Sequence, residues 1–413
     1  MSYLSYLGGT GGTGGTGGTG GTGGTGGTGG TAAALTSGME MGMPVYGGVT
    51  PYSAGLSAGI MTAHQDISYQ WWDKIHDVDP PDDSKEQQEA TFLNSSPWVR
   101  HVVVMDELLG MFRVNGKSRK GGKDLPIRLD VGGKEKLISI VWNTADSFND
   151  KMKHQLQVVM DYASMRNDRF NEIHTQLGFP TPYFGTILGL HPERHKYTLE
   201  LISLSQNLAA SVAMRFKQYF RLFRPDEMNG LVNPMIPTPG HPSFPAAHAV
   251  EAYVVAHMVP HLLHTAQEER VATIRHALRQ QAARITENRV VAGVHYPIDC
   301  IVGAHIGAQL GELFAAVAKH THSKNAPLEV YAMSLNVNDI MGTERLDKPI
   351  EFTFPAGSYE ADTAGSANTE KTKADASKSP EDKDPVAVDA ADYLPILWNK
   401  ATSEWRLKSK GGA

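Results

Sequence analysis

Cysteine is nearly absent: the chain of 413 residues has one, Cys300. A single thiol excludes an intramolecular disulfide framework and any zinc site built from several cysteines. No run of 18 apolar residues is apparent, so no segment is expected to span a bilayer. The N-terminus, MSYLSYLGGT, lacks a basic stretch followed by a long apolar one, so no secretory signal is expected. Excess positive charge is lacking too. The net charge of -6 gives no reason to expect a nucleic-acid or anionic-membrane partner. What is present, 41% hydrophobic and 20% charged residues, is ordinary for a water-soluble globular protein. These limits describe a reduced protein expected in the cytoplasm.

Low-complexity ends frame the chain. Gly8 to Thr31 is eight GGT triplets, so residues 1–42 read as a flexible tail. The GTGGTG within it formally matches a dinucleotide-binding pattern. Neither a strand before it nor an amphipathic helix after it supports that match. Globular sequence begins near Met43, and 43–345 reads as one helical catalytic domain. Trp71, Trp72 and Trp98 offer large apolar surfaces for packing or an interface. Between Met111 and Ile140, Asn-Gly and Gly-Gly turns predict a small peripheral β-hairpin region.

From Thr144 the apolar period becomes helical. "FNDKMKHQLQVVMDYASMRNDRFNEIHTQLG" predicts one long amphipathic helix closed by Gly178. Pro192 to Phe223 repeats Leu201, Leu204, Leu208, Val212, Phe216 and Phe220 at three- and four-residue spacing. Further helices are predicted from Ala247, over "QEERVATIRHALRQQAARITEN", and over Pro297 to Lys319. In the last, Gly303, Gly307 and Gly311 stack on one side and let a neighbour approach closely. The fold class is therefore all-α, a bundle of long helices. Residues 356–389, rich in Ala, Ser, Lys, Asp and Glu, read as a disordered linker. Residues 390–413 regain Leu, Ile and Trp and read as a segment that docks on the core or on another subunit.

Three patches carry chemistry. In "RFKQYFRLFRP", Lys217 and Arg224 are seven apart, which predicts two cations on one helix face about 10 Å apart. The second patch is "GHPSFPAAHAVEA", with His241 and His248. The third is "ENRVVAGVHYPID". There Pro297 sets a helix start, and Asp299 follows His295 at the spacing that lets a carboxylate orient an imidazole. One Lys and two Arg can surround a tetrahedral oxyanion with charge-assisted donors, each worth roughly 1.5–3 kcal/mol when well placed. An oriented histidine can bond the central atom and a second can move a proton. The pattern points to phosphate or its structural twin, vanadate.

Lys217-x6-Arg224-Pro225, "PAAH" at 245–248 and Arg289-x5-His295-x3-Asp299 resemble the three-part signature of the type 2 phosphatidic acid phosphatase superfamily. That superfamily includes the vanadium-dependent haloperoxidases. "RVVAGVHYPID" resembles the haloperoxidase form of the third patch, and "HPSFPAAHA" resembles the "HPSYPSGHA" of algal-type bromoperoxidases. The resemblance implies a helical bundle of the vanadium haloperoxidase and acid phosphatase type. It implies vanadate as prosthetic group, with His295 as the metal ligand and Lys217, Arg224, Arg289 and the Ala247 N–H holding oxygens. It further implies His248 as acid–base residue, His241 as its tuner and Asp299 as the orienter of His295. The implied reaction is oxidation of bromide, with chloride and iodide as further halides, by hydrogen peroxide to hypohalous acid, which attacks small organic acceptors. Assembly as a dimer or larger homo-oligomer is implied as well.

The chain departs from the signature where Ser-Gly is replaced by Ala246-Ala247. Loss of one hydroxyl donor is expected to weaken the grip on the oxyanion by about 1–3 kcal/mol. Two alternatives therefore stay open: a soluble acid phosphatase using a phosphohistidine intermediate, and a catalytically weakened oxyanion-binding or assembly protein. Elsewhere, His257, His261 and His264 have metal-like spacing, but no carboxylate is expected to join them, so they read as packing or surface residues. Arg221 reads as a solvated charge and Cys300 as a buried thiol.

Overall fold

The computed structural model describes residues 84–116, 127–131, 135–142, 148–263, 268–319, 333–341 and 391–406. The Gly-Gly-Thr tail, Trp71 and Trp72, the loops of the expected hairpin, His264 and the linker at 356–389 lie outside the described residues.

Two helices lead in. Ser84 Oγ accepts the Gln87 N–H and starts α1 (Lys85–Asn94), and Pro97 opens α2 (Pro97–Met111). Strands β1 (Phe112–Asn115), β2 (Ile127–Val131) and β3 (Glu135–Val141) form an antiparallel meander. The sheet is larger than the expected hairpin. Strand β4 (Met333–Asn336) pairs parallel to β3, with Ile138 opposite Met333 and Ile140 opposite Leu335. No local turn announces a pairing across so much sequence. The inward residues Leu129, Ile138 and Ile140 are fully buried, so the sheet closes one flank of the helical core.

The helical region is mostly as expected, with one break. The predicted helix up to Gly178 divides into α3 (Phe148–Tyr162) and α4 (Arg166–Thr175), joined by a 3-10 turn at Ala163–Met165. Neither Pro nor Gly lies there. The Ser164 hydroxyl donates to the Asp161 carbonyl, the local competition by which serine interrupts a helix. After α5 (Thr181–Leu188) comes α6 (Lys196–Phe220), buried along nearly its whole length from Thr198 to Lys217. Short α7 (Pro225–Met228) precedes α8 (Ala247–Met258), α9 (Glu268–Val291) and α10 (Pro297–Lys319).

Helices α8 and α10 are in intimate contact, and the three stacked glycines are the cause. A Cβ on Gly303 would lie 2.7 Å from the Ala246 carbonyl oxygen, and one on Gly311 would lie 2.7 Å from that of Val254. Gly307 packs against the Val250 backbone in the same way. Helix α10 is long and apolar enough to cross a membrane by length and composition alone, although polar residues interrupt its apolar run. Inside the fold, 89% of its most apolar window is buried, as in a core helix.

After short α11 (Val337–Ile340), the chain ends its described part with α12 (Leu394–Glu404), which packs on α6. Leu394, Leu397 and Ala401 are fully buried. Glu404 accepts the free N–H groups of Tyr197 and Thr198 at the start of α6, each at 2.9 Å. Trp405 stacks on His195 and donates to Thr198 Oγ1. The start of α12 is capped in turn by Glu107 of α2, which accepts from Asp392 and Tyr393. A remote segment thus completes the first turn of the central helix.

Candidate functional site

The three patches meet in one buried cluster. Lys217 lies in the last turn of α6, but Arg224 does not share its helix. Arg221 takes a left-handed conformation (φ 54°) and ends α6, and Arg224 sits extended at ψ 159° before Pro225. The expectation of two cations on one helix face is thereby corrected. The helix stops at Phe220 because Arg221 turns left-handed, and Pro225 then keeps Arg224 itself extended. Freed from the helix, the Arg224 guanidinium reaches both other patches. Its Nε donates to the His241 carbonyl (3.0 Å) and its Nη1 to the Val294 carbonyl (2.6 Å). Nη1 also donates to His295 Nε2 and Nη2 to His241 Nδ1, each at 3.0 Å. Arginine has no acceptor capacity, so both imidazole nitrogens present lone pairs to it.

The loop that carries His295 is fixed by a close approach. Gly293 sits at φ 84°, and a Cβ there would lie 2.6 Å from Arg166 Nη2. Arg166 binds the carbonyls of Val232, Asn233 and Val291, stitching the loops on either side of the site. Beyond the loop, Asp299 lies in the first turn of α10. Its Oδ2 accepts from His295 Nδ1 (3.0 Å), from the Tyr296 N–H (3.0 Å) and from Ser243 Oγ (2.5 Å). His295 therefore carries its proton on Nδ1, and Nε2 is the nucleophilic or ligating nitrogen. Ser243 belongs to the second patch, so it ties that loop to the third. The Ala246 N–H adds a second tie by donating to the Asp299 carbonyl.

Lys217 is wholly buried and donates to the carbonyls of Pro242 and Ser243. Arg289, in the last turn of α9, points at Gln176, with Nη1 3.4 Å from its carbonyl and Nη2 3.3 Å from Oε1. The same carbonyl accepts from His248 Nε2 at 3.0 Å. Gln176 itself is set by α4, which α9 grips through Arg284–Glu172 and Arg169–Glu287 pairs and through Asn288, which donates to Gln176 Oε1. Ala247 is the first residue of α8, so its N–H has no acceptor within the helix.

Burial dominates the electrostatics. It holds Lys217 well below the usual lysine range, with Arg224 pushing the same way. Burial pulls Arg224 and Arg289 down to about 10, which leaves both charged at neutral pH. It lowers His241 to about 4 and His248 to about 3, helped by the neighbouring cations, and holds His295 well below its ordinary value. All three imidazoles are neutral. Burial raises Asp299 to about 6, against hydrogen bonds from Ser243 and Tyr296 and the charge of Lys217 that favour its anion. Arg224 and Arg289 outweigh the single carboxylate of Asp299 at neutral pH, and surplus positive charge in a dry cluster creates a local demand for an oxyanion. The donor set fits one. Arg289 Nε is buried without a hydrogen-bond partner among the described residues, and His295 Nε2 offers a lone pair beside Arg224.

Every residue of the sequence-derived set lies in or against this cluster. Three participants were not singled out. Ser243 stands inside the quoted second patch, and Glu251, three residues after His248, shares its helix face; both were open to reading from spacing. Gln176 had no such signal, because it comes from another helix more than a hundred residues from Arg289.

The reading of His257 and His261 is corrected, while His264 lies outside the described residues. A carboxylate does join them, Glu312 of α10, which accepts from His257 Nδ1 (3.1 Å) and His261 Nε2 (2.8 Å). Helix packing, invisible in local spacing, brings Glu312 across. Lys319 donates to the other nitrogen of His261, so the group is a hydrogen-bonded clamp between helices. Among the described residues no group of three or more His, Cys, Asp or Glu is arranged to hold a metal ion. Arg221 is exposed, and Cys300 is buried with its Sγ near the Thr286 carbonyl.

No curated protein matches the chain. The family model described as PAP2 superfamily matches residues 199–323, a span that holds Lys217, Arg224, His241, His248, Arg289, His295 and Asp299. Over these residues the chain is similar to the PAP2 superfamily.

Proposed function

We propose that the protein is a vanadate-dependent haloperoxidase that oxidises halide, bromide foremost, with hydrogen peroxide. The observation that carries the reading is His295. Its Nδ1 is fixed by Asp299, and its Nε2 lone pair faces Arg224 in a cluster that also includes His241. His295 Nε2 would ligate vanadium(V), and Lys217, Arg224, Arg289 and the Ala247 N–H would hold its oxygens. Bound vanadate supplies the Lewis-acidic centre that activates peroxide toward halide.

The chain's own residues do the rest. Arg224 and Lys217 offer charge-assisted donors that cost no reorganisation, because backbone carbonyls already orient them. His248 is neutral with a proton on Nε2 and a lone pair on Nδ1, so it can accept a proton from an incoming peroxide. His241 receives the Arg224 Nη2–H and couples that guanidinium to the loop before His248. Burial of the cluster keeps water from competing for the donors.

One observation favours a second reading within the same superfamily, an acid phosphatase. Ala246 brings no hydroxyl to the loop, and a looser hold suits an oxyanion that must leave at each turnover. In that chemistry His295 Nε2 attacks phosphorus as the P–O ester bond breaks; His248, first protonated on Nδ1, gives that proton to the leaving oxygen and takes one back from the water that cleaves the phosphohistidine.

The test is a pair of assays on the full chain beside His295→Ala. Bromide oxidation by hydrogen peroxide is measured after loading with orthovanadate, and phosphomonoester hydrolysis is measured without it. Bromination that needs vanadate and vanishes in the variant supports the haloperoxidase. Hydrolysis without bromination moves the protein to the phosphatase reading, and binding of orthovanadate with neither activity leaves an oxyanion-binding protein.

A further inference from the structure

Glu251 is the one acid on the site-facing side of the first turns of α8, three residues after His248. It is fully buried, and neither of its oxygens has a hydrogen-bond partner among the described residues. A buried carboxyl without partners is costly and uncommon. Oε2 lies 4.0 Å from His248 Nδ1, beyond hydrogen-bonding distance, and His248 already donates its other nitrogen to Gln176.

The charged groups that act on Glu251 come from three helices: Lys217 of α6, Arg289 of α9 and, when protonated, His248 of α8. Helix α10 meets this part of α8 with Gly303 and Gly307, which bring no charge. Burial pushes the carboxyl well above its ordinary range, and the opposing pull of Lys217 and Arg289 is the smaller effect. A carboxylate here would repel an arriving oxyanion, whereas a carboxylic acid has an O–H to give. The orphaned group lies within reach of the charges of two cations assigned to the oxyanion, and Ala246 at the start of the same helix contributes only a methyl.

We propose that Glu251 is a binding residue of this site, its protonated carboxyl donating an O–H hydrogen bond to an oxyanion held by Lys217, Arg224 and Arg289. The inference rests on the oxyanion-site reading but not on the choice between haloperoxidase and phosphatase. It assigns the site a ligand-binding donor from the helix rather than from the loop.

The experiment is calorimetric titration of the full chain with inorganic orthophosphate and, separately, orthovanadate. Wild type is compared with Glu251→Gln, Glu251→Ala and Glu251→Leu, each checked for folding by its thermal transition. The amide of Glu251→Gln keeps an N–H donor at the same reach, so its affinity is expected within about threefold of wild type. Glu251→Ala and Glu251→Leu are expected to lose tenfold or more. Leu fills the buried space without a polar atom, so the comparison with Gln stands even where Ala fails to fold. Equal or tighter binding by the Ala or Leu variant overturns the inference and marks the carboxyl as idle or repulsive. If wild type binds neither anion, the oxyanion reading itself fails and this inference with it.

Discussion

His295 donates its Nδ1 proton to Asp299 Oδ2 across 3.0 Å, and the same oxygen is held by Ser243 and by the Tyr296 N–H. The carboxylate is therefore anchored from the second patch and from its own helix start, and the imidazole cannot turn without breaking that anchor. Its Nε2 is left to Arg224 and to whatever the cluster binds. Asp299→Asn keeps the shape but removes the charge that selects this tautomer. It is expected to weaken orthovanadate binding and the dependent activity by about 10–100-fold. Titration calorimetry beside a thermal melt checks it; a fall in affinity that merely tracks loss of fold would remove the orienting role.

Ala246→Ser restores a hydroxyl at the start of α8. One added donor to a bound oxyanion is worth about 1–3 kcal/mol, so the variant is expected to bind orthovanadate or orthophosphate about 5–150-fold more tightly. Unchanged affinity for both anions would show that a hydroxyl at this position does not reach the ligand.

Gly307→Ala drives a methyl into the Val250 carbonyl of the facing helix. Overpacking of this kind costs about 1–3 kcal/mol, read as a lower midpoint in urea. Gly110 in α2 is the control. A Cβ there meets nothing within 4 Å, so Gly110→Ala is expected to be neutral or stabilising by about 0.5–1 kcal/mol. Equal effects at the two positions would refute the close-packing account of α8 and α10.

His101 sets part of the pH dependence of stability. It is buried, its Nε2 accepts from Asn207 Nδ2 at 3.2 Å, and burial lowers it to about 4. The folded value lies below the unfolded value of about 6.5, so the unfolded chain takes up the proton first as pH falls. The stability tied to neutral His101 is present above about pH 6.5 and is lost as pH drops toward 4. Urea unfolding at pH 7.5, 5.5 and 4.5 is expected to fall more steeply for wild type than for His101→Gln. Parallel curves would show that other groups carry the acid sensitivity.

Much of the cluster was legible before any fold was known. Lys217, Arg224, His241, His248, Arg289, His295 and Asp299 were separable from bland charges because three fragments carried complementary chemistry in one order. The i,i+4 step from His295 to Asp299 and the proline after Tyr296 are local devices, and local devices survive in sequence. Arg224 was placed on the wrong local structure because the helix was carried up to Pro225, whereas Arg221 already ends it in a left-handed conformation. The break at Ala163–Met165 escaped because a serine hydroxyl, rather than Gly or Pro, interrupts the helix there.

The sequence by itself determined the helical class, the glycine stripe of α10 and the residue types of an oxyanion site, since periodicity, small-residue spacing and donor chemistry are properties of short segments. Only the tertiary structure decided that Gln176 orients Arg289 and His248 and that β4 joins β3 in parallel. It alone decided that Glu312 clamps His257 and His261 and that Glu404 caps α6. Each of these is a polar or backbone pairing between segments far apart in the chain. Their partners are selected by which buried N–H and C=O groups the packed helices leave unsatisfied, and that demand exists only once the helices are packed.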